Sequence, residues 1–129
     1  MSECWFAGRP GIDPCQGRMD RMHWVKQQVI RARFPHGAYR VDGGEWVRTP
    51  RLMDPADFEG RALDMRSMQQ IVWDGRVWAR ACRWHHGTFD RPGVRALRVP
   101  RGELPVDVEE WAGEFGMVWW LDRTYGERA

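Results

Sequence analysis

Cys82-Arg83-Trp84-His85-His86-Gly87-Thr88-Phe89-Asp90 is the stretch on which the fold of this chain turns. Its C-x-x-H spacing lets Cys82 and His85 reach one tetrahedral ion. Cys4 and Cys15 complete a Cys3His set, the composition of a closed structural zinc site. The opposing reading makes Cys82 a buried thiol and leaves Cys4 and Cys15 incidental. His86 and Asp90 are four apart and share one face of a helix over 82–91. They read either as imidazole and carboxylate ligands of a hard divalent ion or as a solvent-facing pair, with Asp90 bridged to Arg83 or Arg91.

The remainder of the chain bounds these readings. Its 129 residues suit one domain, and its 43% hydrophobic content supplies a modest core. Nine tryptophans bury much area each, and such a core benefits from a metal staple. Net charge is only +2, which by itself does not indicate a nucleic-acid binder. Lys26 is the single lysine among 20 basic residues. The arginine excess suits bidentate phosphate contacts, but it also follows from GC-rich coding bias. No long apolar run spans a membrane, and Met1 to Gly8 has neither a basic start nor an apolar stretch of secretory type. A cytoplasmic location is therefore expected. Three cysteines cannot all pair into disulfides, so in a reducing compartment they read as metal ligands.

Along the chain, residues 1–18 have loop composition, with Gly8, Pro10, Gly11, Pro14 and Gly17 around the two cysteines. Trp24, Val25, Val29, Ile30 and Phe34 predict a short amphipathic helix stopped by Pro35 and Gly37. Residues 39–49 read as a hairpin or an extended loop around Gly43-Gly44. A helix is expected over 54–72, opened by Asp54-Pro55 and buried through Leu63, Met65, Met68, Ile71 and Val72. Asp74-Gly75 predicts a turn, and Val77 to Ala79 an extended piece. A strand is expected over 94–99. A helix follows over 104–115, with Pro105 near its start and Gly116 past its end. The apolar tail over 117–125 is expected to pack back on the body.

The order Cys4, Cys15, His23, then Cys82, His85 and His86, resembles the HNH endonuclease (ββα-metal) family, particularly the small members encoded by actinobacterial phages. Trp73-Asp74-Gly75-Arg76-Val77-Trp78 and the tail from Glu109 to Arg123 look like those phage proteins too. The motifs cover residues 4–34 and 73–91. The resemblance implies an α+β fold: one domain over 1–129 with a small ββα-metal core, a zinc knuckle, and additional helices. Residues 104–125 would pack on that core. It implies that His23 is a general base taking a proton from water. His86, with Asp90 as a second ligand, would hold catalytic Mg2+ or Mn2+ that polarises the scissile phosphate. Cys4, Cys15, Cys82 and His85 would hold structural Zn2+.

Two positions depart from the family pattern. Met22 stands where Asp or His ligates the catalytic ion, and a thioether is a poor ligand for Mg2+. Val77 stands at the middle asparagine and cannot hydrogen-bond through its side chain. Asp20, two positions before Met22, is the carboxylate nearest in sequence to replace the lost ligand. The expected function is metal-dependent DNA cleavage or nicking, in a bacterial cytoplasm if the chain is phage-encoded. The alternative is a catalytically impaired scaffold that binds DNA or a host protein without cutting, a phage-encoded inhibitor being one form. A third reading is a zinc-bound structural protein with no nucleic-acid role. Arg21, Lys26, Arg31 and Arg33 flank His23 and are the candidate phosphate contacts; their other reading is a solvated helix face.

Overall fold

The computed structural model describes residues 4–9, 11–91 and 98–128. Among the described residues, five strands and five α-helices form a small α+β fold with two sheets. Strands β1 (Met19–His23) and β5 (Trp78–Cys82) pair antiparallel, with Asp20 opposite Ala81 and His23 opposite Trp78. Helix α3 (Arg83–Asp90) follows β5 without a break. Between β1 and β5 the chain builds helix α1 (Gln27–Arg33) and a second antiparallel sheet, in the order β3 (Val47–Arg48), β2 (Ala38–Val41), β4 (Leu63–Arg66). Helix α2 (Met68–Val72) then returns the chain to β5. Helices α4 (Val106–Phe115) and α5 (Val118–Tyr125) complete the order.

The expected helix over 54–72 is three separate pieces. Asp54 does cap a turn, its carboxylate accepting from the Ala56 N–H, but only a 3-10 turn over Pro55–Phe58 forms. Gly60 sits in the left-handed region (φ 82°), which ends any helical course there. Leu63 and Met65 then pair with β2, Met65 lying opposite Tyr39. Tertiary pairing overrides the helical spacing of these apolar residues. A reciprocal capping box restarts the chain as α2: the Ser67 hydroxyl accepts from the Gln70 N–H while the Gln70 side chain accepts from the Ser67 N–H. Ile71 and Val72 are buried as expected, whereas Met65 is exposed.

Other expectations stand with shifted boundaries. Helix α1 starts at Gln27 rather than Trp24, since Lys26 supplies no side-chain cap, yet Trp24 and Val25 are fully buried in the preceding loop. The hairpin over 39–49 forms as β2 and β3. Gly37 (φ 81°) ends the α1–β2 connection, where an added Cβ would lie 2.2 Å from the Arg66 carbonyl oxygen. Helix α4 has Pro105 before its first residue and Gly116 in the left-handed conformation at its end. The expected tail is helix α5. Most of the strand expected over 94–99 lies outside the described residues.

One hydrophobic cluster draws on the whole described chain, from Cys4 and Phe6 through Trp24, Ile30, Val77 and Ala81 to Trp111 and Leu121. The tail is fastened to it where the Tyr125 hydroxyl donates to the Trp24 carbonyl at 2.6 Å. Arg101 fastens it again. Its guanidinium, 4% exposed, donates to both Glu109 carboxylate oxygens, to Asp122 and to the Gly126 carbonyl. The Arg101 hydrogen bonds hold the Glu109 carboxyl below its ordinary value. A depressed carboxyl pKa contributes stability above the unfolded value of about 4.3, lost as pH falls through the folded one. Breaking a buried pair strands its partner, so Arg101→Met should cost about 3 kcal/mol, read as a lowered Tm by circular dichroism at pH 7. The loss should shrink as pH falls below 4; an unchanged Tm at pH 7 would remove this cluster from the account.

Candidate functional site

The Cys3His cluster is built at the β5–α3 junction. Cys82 ends β5 and caps α3, so its backbone switches from strand to helix at the ligand itself. His85 lies in the first turn of α3. Cys4 is brought alongside by the Trp5 N–H, which donates to the Arg80 carbonyl at 2.8 Å. The ligand atoms of Cys4, Cys15, Cys82 and His85 all lie within 4.8 Å of one another. From His85 Nδ1 the three sulfurs stand at 3.4 Å, 3.8 Å and 3.2 Å, in that order of cysteines. Tetrahedral zinc, with bonds of about 2.3 Å to sulfur and about 2.0 Å to nitrogen, sets S···N edges near 3.5 Å. The four residues are thus close enough to hold a metal ion, and their spacing is consistent with a structural zinc.

Neighbouring groups prepare the donors. His85 Nε2–H donates to the Asp13 carbonyl at 2.7 Å, which leaves the Nδ1 lone pair facing the sulfurs. The Cys82 N–H donates to Cys4 Sγ at 3.2 Å, and the His85 N–H to Cys82 Sγ at 3.4 Å. Burial pushes the Cys4 thiol up. Burial also opposes ionisation of Cys82, but hydrogen bonds from His85 and Gln16 outweigh it and leave that thiol below its ordinary value.

Beside this centre lies a second group. His23, at the end of β1, is 6% exposed. Its Nε2–H donates to the Val72 carbonyl at 2.7 Å, so Nδ1 carries the lone pair. The Gln27 amide nitrogen stands 3.4 Å from Nδ1, and the Gln27 oxygen accepts from Arg31 at 3.3 Å, which fixes the amide's orientation. Trp73 stands edge-on to the imidazole with centroids 4.9 Å apart. Burial lowers the His23 pKa, only partly offset by the Val72 carbonyl. The ring is therefore neutral at pH 7.

His86, one residue after His85, lies between two carboxylates. Asp20 Oδ2 is 3.4 Å from Nδ1 and Asp90 Oδ2 is 3.1 Å from Nε2. His23, His86 and Asp90 face a common cleft of about 500 Å³, with Arg21, Lys26 and Arg31 along its walls. Arg33 lies elsewhere, over the Phe34 ring and near Gly116 at the end of α4. Among the described residues, the Cys3His set is the one group whose ligand atoms are mutually close; Asp20, His86 and Asp90 are strung in a line instead.

No protein family, curated protein or solved structure matches this chain. Among the described residues, no helix is long and apolar enough to cross a membrane.

Met22 and Val77 are fully buried, so each is a core residue rather than a cleft residue. The Val77 carbonyl accepts from the Trp24 N–H at 2.9 Å. Asp20 is the β1 carboxylate that reaches His86. Gln27, the first residue of α1 and four positions beyond His23 across a short loop, carries no periodic signal as its partner. The carbonyls of Asp13 and Val72 leave no sequence signal, because every residue carries one.

Metal analysis of the purified chain should return about one zinc ion per molecule. Cys82→Ala should abolish its retention and expose residues 4–15 to limited proteolysis. A zinc-free wild type with the same protease resistance would contradict the staple.

Proposed function

We propose that this chain is a zinc-stapled, metal-dependent DNA endonuclease or nickase of HNH type, with His23 as general base. One observation carries the reading. A neutral histidine, its tautomer fixed by the Val72 carbonyl, opens onto a cation-walled cleft that also contains His86 and Asp90. The antiparallel β1–β5 pair followed directly by α3, with the Cys3His set at the junction, supports the same family resemblance.

The chemistry follows from these groups. Nδ1 of His23 takes a proton from water as the water oxygen bonds to phosphorus. The bond from phosphorus to the leaving sugar oxygen breaks, and that oxygen takes a proton from solvent. The Gln27 amide, held by Arg31, stands 3.4 Å from Nδ1 and gives up that place to the attacking water, while the Val72 carbonyl holds the ring. Arg21, Lys26 and Arg31 neutralise flanking phosphates, which sets register without reading sequence. His86 with Asp90 would offer imidazole and carboxylate oxygen to a hard divalent ion; Asp20, on the opposite ring nitrogen of His86, pairs with that imidazole and does not converge with Asp90 on one point. Such an ion supplies polarisation of the phosphate and stabilisation of the leaving oxygen. The Cys3His zinc acts as a staple only.

A second reading uses the same scaffold for binding DNA or a host protein without cutting. It is favoured by the burial of Met22 and Val77 and by the mutual pairing of Asp20, His86 and Asp90. Plasmid nicking separates the two. With Mg2+, Mn2+ or Ni2+ the zinc-loaded wild type should nick supercoiled DNA, and His23→Ala should lose at least about 100-fold. His86→Ala should lose activity likewise. No cleavage by the wild type under any of these ions leaves the binding reading.

Protonation of Nδ1 removes the base, and the His23 pKa is depressed. The acid limb of the nicking profile should accordingly lie below about pH 6.5, the ordinary imidazole value. An acid limb above that value would contradict the assignment. Arg21→Ala should weaken binding alike across sequences and reduce the slope of log K against log salt by about 0.9. An unchanged slope would take Arg21 out of the phosphate path.

A further inference from the structure

A second cavity, of about 390 Å³, adjoins the candidate cleft and shares His23, Lys26 and Asp90 with it. Its character is different. Phe89, Trp120 and Tyr125 supply aromatic walls, and Lys26, Arg91 and Arg98 supply cationic ones. Phe89 and Tyr125 are stacked, with centroids 6.4 Å apart and planes 24° from parallel. Trp120 meets Tyr125 edge-on at 6.1 Å. All three rings are only partly buried. The base proposed to act at the phosphodiester thus stands on the boundary between a polar, cationic cleft and an aromatic one.

Phosphodiester cleavage as proposed above needs only the first cleft. A paired duplex presents phosphates and groove edges, and its base faces are covered by their neighbours. An aromatic cavity with cationic walls instead complements a π-face attached to a phosphate, which a strand offers once a base leaves the stack. The shared residues place such a nucleotide directly beside the one whose phosphate faces His23. From this geometry we infer that the aromatic cavity takes an unstacked nucleobase next to the scissile phosphate, so that the preferred substrate is single-stranded or locally unpaired DNA. This rests on the endonuclease reading for the strand's placement, while the cavity's own chemistry rests on Phe89, Trp120 and Tyr125.

The test uses the full, zinc-loaded chain and a DNA oligonucleotide carrying 5-iodouracil at successive positions, as a single strand and as a perfect duplex. Irradiation without added divalent ion, followed by mass spectrometry, should place the adduct on Phe89, Trp120 or Tyr125 in the single strand. Single-strand affinity should exceed duplex affinity. Trp120→Ala should weaken single-strand binding about tenfold and leave duplex binding unchanged, because one stacking platform is lost. Trp120→Tyr, which keeps an aromatic face, should restore most of that loss and guards against misfolding as the cause. Adducts confined to other residues, or equal affinity for both substrates with no effect of Trp120→Ala, overturn the inference. Nicking assayed in parallel separates the two ideas. Nicking of duplex without aromatic adducts overturns the cavity and leaves the nuclease. Aromatic adducts without nicking uphold the cavity and remove the nuclease.

Discussion

Cys82 carries the constraint on which the rest depends. It ends β5, caps α3 and contributes one sulfur to the Cys3His set. Those three roles fix the direction in which α3 leaves the sheet. Once that direction is fixed, His85 points to the sulfurs, and its neighbour His86 turns toward β1 and the cleft containing His23. The N-terminal segment, poor in core residues, is gathered by the same centre through Cys4 and Cys15. A metal held there stabilises the fold by its preference for the folded over the unfolded chain, growing with the logarithm of its affinity. Cleft geometry and fold stability thus share one cause.

The polar groups around the cleft show how burial and hydrogen bonding divide the labour. His85 and His23 are organised alike: each donates one ring N–H to a backbone carbonyl and directs the other nitrogen toward its task. The first faces thiols and the second faces the cleft. The carbonyls decide the tautomers, and burial keeps His23 neutral. His86 is less committed, lying between Asp20 and Asp90 with its side chain 27% exposed. A group in that setting suits exchange of partners, whereas His23 is locked.

Much of this was legible in the sequence, and the reasons are local. The Cys82-x-x-His85 spacing, the Pro105 and Gly116 boundaries of α4, and the hairpin around Gly43-Gly44 each rest on chemistry within a few residues. Cys4 and Cys15 were legible as residue types, although their approach to α3 depends on a fold closing across some seventy positions. The stretch 54–72 was misread because its apolar spacing matches a helix, while pairing with Tyr39 and Val41 draws Leu63 and Met65 into a strand. Met22 and Val77, the two positions that depart from the pattern the sequence resembles, are both core residues. The partnerships of Asp20 with His86 and of Gln27 with His23 cross between elements or leave a helix end, and no periodicity announces them.

His23 is proposed to be a neutral base whose Nδ1 keeps its lone pair beside the Gln27 amide. Nitrogen-15 NMR of the imidazole in the zinc-loaded chain tests it most directly. The spectrum should show a protonated Nε2 and an unprotonated Nδ1 at pH 7, with protonation of Nδ1 only below about pH 6.5. The opposite tautomer, or an imidazolium at neutral pH, would contradict it.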